Sequence, residues 1–116
     1  MKITVDAYAL RPPSVMAGIQ GSKGCESLSF EFDPLWEGYT KNIVFVMPNG
    51  EAIERRYRDE PLPIPEQVLC HRGKLRFGVV GKKGKRRRMS FMGELVVLHG
   101  PHGTQEESGK EARDGE

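Results

Sequence analysis

Two cysteines, three histidines and one tryptophan are nearly all that this 116-residue chain offers of the side chains that most often carry site chemistry. Cys25 and Cys70 lie far apart and lack metal-ligand spacing, so a reducing compartment with two free thiols is expected rather than a disulfide. None of His71, His99 and His102 stands near a cysteine or carboxylate at a spacing that a metal or nucleophile site uses. His99 and His102 are three apart, but Gly100-Pro101 between them excludes a helix, and zinc there would need ligands from elsewhere. Both read as solvated residues at a strand end. Cys70 and His71 are neighbours, and neighbours in a strand point to opposite faces, so they form no obvious dyad. No nucleophile elbow, P-loop or dinucleotide fingerprint is present. The expectation is a non-enzyme with no cofactor and no metal.

Long apolar runs are missing too. Nothing approaches the roughly 18 residues that cross a bilayer, and "MKITVDAYAL" has no signal-peptide stretch. Synthesis and residence in a cytoplasm, without a membrane partner, are expected. Long helical patterns are also absent. Fourteen glycines and eight prolines favour short strands joined by turns.

What is present is alternation. "KITVDAYA" sets Ile3, Val5 and Ala7 against Lys2, Thr4 and Asp6, the period of a strand with one buried face. "RPPSVMAGIQGSKG" reads as a long loop or irregular edge. "ESLSFEF" puts Leu28, Phe30 and Phe32 on one face. "KNIVFVM" is more uniformly apolar, as in a central strand, and Asn49-Gly50 after it suits a type I′ hairpin turn. "EAIERRY" returns with Ile53, Arg55 and Tyr57 together. The prolines of "DEPLPIPEQVL" keep it out of a sheet interior, and Pro65 could open one helical turn. "GKLRFGVVG" alternates again, "GKKGK" turns, "RRRMSFM" returns, and "GELVVLH" closes the series.

About seven short strands at regular spacing predict an all-β protein, an antiparallel β-sandwich of immunoglobulin-like type. The domain would span 1–99, and 100–116 would be a disordered polar tail, because that segment has too little apolar surface to offset ordering. The predicted core is Ile3, Val5, Leu28, Phe30, Phe32, Trp36, Ile43, Phe45, Ile53, Leu75, Phe77, Val79, Leu95 and Val97. Trp36, in the loop "FDPLWEGYTK", suits a cap over one end of that core. With Leu35 and Tyr39 beside it, a sugar-stacking platform is the competing reading.

Charge is distributed unevenly. Between His71 and Ser90 there are nine basic residues and no acidic one, whereas from Pro101 onward five acids face two bases. "GKKGKRRR" holds Lys82, Lys83, Lys85, Arg86, Arg87 and Arg88. Such a hairpin could bind phosphates with salt-sensitive affinity. It contains no interleaved aromatic to stack on bases, and a charged strand tip also keeps itself solvated. Nucleic acid is therefore the alternative partner rather than the first. Arg55, Arg56, Tyr57 and Arg58 in "ERRYRDE" are interface candidates by residue type, or an exposed face with weak internal ion pairs.

The order of these pieces resembles a family. Phe32, Trp36, Tyr39 and Lys41 in the loop, Phe45 in the next strand, Ile64, Pro65, Val68 and Leu69 in the turn, and Gly73, Leu75, Gly78, Val79 and Gly81 in the following strand are similar to the N-terminal domain of upper baseplate proteins of Gram-positive phages. The likeness spans about residues 26 to 98 and leaves the basic hairpin out. It implies a β-sandwich that joins larger virion parts, with other virion proteins or further copies of itself as partners and no catalytic site. It also implies residence in the host cytoplasm during synthesis and in the virion after assembly. The baseplate proteins continue into a stalk or receptor-binding module where this sequence has a polar tail. A free-standing subunit, an accessory protein and a piece joined to a partner are all open expectations.

Overall fold

A computed structural model describes residues 1–24 and 26–100; Cys25, His102 and all of the expected disordered tail beyond Gly100 lie outside the described residues. Among the described residues, ten strands follow in order: β1 (Lys2–Asp6), β2 (Ala9–Arg11), β3 (Ser14–Ile19), β4 (Ser27–Phe32), β5 (Thr40–Val46), β6 (Ala52–Tyr57), β7 (Leu62–Pro63), β8 (Gly73–Lys83), β9 (Arg86–Met89) and β10 (Gly93–Leu98). A 3-10 turn covers Pro34–Trp36, and one α-helical turn, α1, covers Glu66–Leu69. No helix among the described residues is long and apolar enough to cross a membrane.

The chain is an all-β sandwich of two mixed sheets. The smaller sheet has the order β2-β1-β4-β7, and the larger runs β3-β10-β8-β5-β6 with β9 also on β8. Most neighbours are antiparallel, as the alternation predicts, but β1 pairs with β4 and β10 with β3 in parallel. The count exceeds seven by β2, which takes only Arg11 from "RPPSVMAGIQGSKG", by β3, which lies within that segment, and by the two-residue β7. β3 is nevertheless an irregular edge: its ladder to β10 shifts register between Val96 and Val97. Proline-rich β7 is confined to an edge of the smaller sheet, where a missing N–H breaks no ladder.

β5 lies inside the larger sheet, bonded to β8 on one side and β6 on the other. The hairpin after it is present, but its turn is not type I′. Gly50 has φ +92° while Asn49 is not left-handed, and Met47 N–H donates to Glu51 O across a three-residue loop. That pattern is a type I turn closed by a glycine bulge.

The inward residues of both sheets meet in one core. Ile3, Val5, Leu28, Ile43, Phe45, Leu75, Phe77, Val79, Leu95 and Val97 are each at most 2% exposed, and Ile64 is 4% exposed. Phe32 and Ile53 pack at its margin, and Pro65 is half-buried at the head of α1. Tyr57 corrects the expectation of an interface residue. It is 7% exposed, and its hydroxyl accepts from Phe30 N–H at 3.0 Å and donates to Phe30 O at 3.3 Å, so it bridges the two sheets from inside. Its neighbours Arg55, Arg56 and Arg58 are exposed at the edge of the larger sheet.

Trp36 is fully buried. Asp33 caps its turn by accepting from Leu35 N–H at 2.9 Å. The indole N–H donates to Ala7 O at 2.7 Å, fixing the ring between the β1–β2 turn and the sheet. The ring is a plug over one end of the sandwich, and no open face is left for a sugar. Gly81, the last residue of "GKLRFGVVG", lies within β8 beneath this ring: a Cβ there would approach Cζ3 of Trp36 to 3.0 Å.

Candidate binding surface

The end of the sandwich closed by Trp36 is also the end from which the basic hairpin projects. β8 is eleven residues long and divides its labour. Its first half pairs with β10 and its second with β9, while β5 runs along the opposite edge. Ser90 makes the join between β9 and β10: Val79 N–H donates to its Oγ at 2.8 Å, and Ser90 N–H donates to Val79 O at 2.9 Å. Val80 to Lys83 therefore pair with Arg86 to Met89 as a basic ribbon that β5 flanks as far as Lys82, so that only Lys83 to Arg86 extend beyond the β5 edge. Gly84 takes the positive φ at the tip, +60°.

Among the described residues, the three ion pairs join Lys2 to Glu31, Arg11 to Asp6 and Lys23 to Glu66. Among those residues, no carboxylate lies within salt-bridge distance of a hairpin cation. Five of the six, Lys82, Lys83, Lys85, Arg86 and Arg87, are exposed; Arg88 is half-buried.

Arg88 is held by aromatic residues that the sequence places far away. Its Nη1 donates to the Tyr8 hydroxyl at 2.7 Å and its Nη2 to the Tyr39 hydroxyl at 3.5 Å. The guanidinium carbon lies 5.5 Å and 5.2 Å from the two ring centres, within cation–π range. Lys83 Nζ stands 5.7 Å from the Tyr39 ring on the same ribbon. The hydrogen bond from Arg88, helped by the charges of Arg88 and Arg86, holds the Tyr39 phenol below the usual tyrosine range, and the same hydrogen bond raises Arg88. Tyr8, Tyr39, Arg86, Arg87, Arg88 and Met89 line a shallow, open hollow there. Phe91, at the foot of the ribbon, sits 6.4 Å from Tyr8, and its backbone N–H donates to Tyr8 O at 2.8 Å.

Sequence reasoning found the cations but missed Tyr8 and Phe91 as their neighbours. The signal was partial: Phe91 follows the run by three residues, whereas Tyr8 arrives through the β1–β2 turn, and only the tertiary pairing brings it in.

A second surface lies on the outer face of the larger sheet. Leu95 and Val97 point inward, so Val96 and Leu98 point outward. Register sets Met16 beside Val96 and Ile19 beside Leu98. Met16, Ile19 and Leu98 are 52%, 43% and 45% exposed. The Arg55, Arg56 and Arg58 group lies across the sheet from this patch, on β6 and just beyond it.

The remaining candidates for chemistry stay apart. Cys70 is free and exposed at the end of α1. His71 borders a hollow with Glu51 and Gln67, and His99 contacts Arg72 at 3.1 Å. Among the described residues, no group of three or more His, Cys, Asp or Glu side chains could hold a metal ion. In comparisons with known proteins, the chain matches no protein-family model and no curated protein.

Proposed function

We propose that this chain is a non-catalytic structural or adaptor protein of a phage or prophage particle, a baseplate, tail or head accessory, that works through protein–protein contacts. The observation that carries the reading is the apolar corner formed by Met16, Ile19 and Leu98 across β3 and β10. Large side chains grouped this way on a sheet's outer face mark a contact surface. The buried Trp36 supports it as well, because it makes the loop that the baseplate resemblance rests on a structural plug. The occupant we favour is a second copy of the chain, since repeated parts of this size assemble by symmetry. Synthesis in the host cytoplasm and residence in the virion follow from the same reading.

The test is light scattering of the full chain across a concentration series, beside the double variant Met16→Glu, Leu98→Glu. Self-association that the variant abolishes supports the reading. A wild-type chain that stays monomeric, and is missing by mass spectrometry from particles of an induced prophage that encodes it, would overturn it.

A further inference from the structure

We propose that the Trp36 end of the sandwich binds single-stranded nucleic acid, with phosphates on the basic ribbon and a base stacked on Phe91, edged by Tyr8. Two independent features of the fold point there. The ribbon carries its cations with no carboxylate partner among the described residues, so its charge is open to a polyanion. Phe91 is 68% exposed and Tyr8 42%, side by side at the ribbon's foot. The run has no stacking residue of its own, and the fold supplies two from other elements. Charge tracking the backbone together with an aromatic platform is how sequence-tolerant single-strand binding is built.

Arg88 sets the spacing between the two features. One N–H of each terminal nitrogen is committed to a phenol, on Tyr8 and Tyr39. The second N–H of each is left for a phosphate oxygen, and the fixed fork suits that ligand. An acidic peptide would satisfy the charges but has no use for Phe91, and duplex DNA keeps its bases stacked away from such a platform. The single strand is therefore the occupant that uses every part of the site. This inference stands apart from the adaptor reading, which rests on the β3–β10 corner.

The experiment is fluorescence anisotropy of a labelled oligothymidylate with the full chain at rising NaCl. Binding should weaken linearly in log–log form. The double variant Arg86→Ser, Arg87→Ser should shallow that slope by about 0.7 for each phosphate no longer neutralised. Phe91→Ala should keep the slope and lose roughly five-fold or more in affinity, with Phe91→Trp restoring it. Unchanged thermal unfolding of these exposed variants separates loss of binding from loss of fold. No binding at low salt overturns the proposal. So does equal competition by polyglutamate with Phe91→Ala silent, which assigns the ribbon to an acidic protein. Tighter binding of a duplex with Phe91→Ala silent also overturns it, in favour of double-stranded DNA.

Discussion

The indole of Trp36 rests directly on the bare backbone of Gly81: a Cβ at that position would lie 3.0 Å from Cζ3 and 3.2 Å from the Tyr39 Cβ. Gly81→Ala should therefore push the plug out of its seat and destabilise the domain by about 1–3 kcal/mol, the range for overpacking. Trp36→Ala should cost about 3–5 kcal/mol through the cavity it leaves. Urea unfolding measures both. Native tryptophan emission should be blue-shifted and unmoved by soluble sugars; red-shifted, water-quenched emission would contradict the buried plug.

Tyr57→Phe keeps the ring but strips the hydroxyl that serves Phe30 N–H and O. Both backbone groups are then left without this buried partner, and the expected loss is about 1–3 kcal/mol. A chemical-denaturation midpoint equal to wild type would show that the bridge between the sheets carries no net stability.

Arg88→Gln removes the hydrogen bond and the charge that lower the Tyr39 ionisation. Phenol titration followed by ultraviolet absorbance should show one tyrosine moving to higher pH. The folded value lies below the unfolded one of about 10, so the stability contributed by Tyr39 is fully present above about pH 10 and lost as pH falls through the folded value. The variant should differ from wild type at alkaline pH in this respect. An unchanged titration curve would show that Tyr39 does not feel the guanidinium.

Met16→Glu and Leu98→Glu place charges on side chains that already face solvent. Each should leave the monomer's thermal stability within about 0.5 kcal/mol of wild type, while altering association if the corner is an interface. A large drop in Tm would instead place these residues in the core.

The sheets were legible wherever a strand buries one face. Alternation in β1, β4, β8 and β10 picked out Ile3, Val5, Leu28, Phe30, Leu75, Phe77, Val79, Leu95 and Val97, all buried. It failed at β3, whose parallel pairing and register shift break the period, so Ala17 went unrecognised as core. Met47, Val68 and Leu69 escaped because they are buried just beyond strand ends or in one helical turn, where no period forms. Tyr57 shows a different limit. In "ERRYRDE" an aromatic among charges looks like surface, and only the facing Phe30 backbone explains why it turns inward. The ribbon's cations were plain in the sequence, but the rings beside it come from three separate segments, and no local pattern joins Tyr8 and Tyr39 at Arg88 or sets Phe91 against Tyr8.

The length of β8 has a mechanical consequence. A tug on the ribbon tip, directed along the strand, runs into a seven-residue ladder with β5 on one flank and the β10 ladder on the other. Those bonds would be loaded together in shear rather than peeled in turn. Force spectroscopy should accordingly find high rupture force when the chain is pulled from Lys85 and a much weaker response when it is pulled from β2, whose three-residue ladder to β1 unzips from one end.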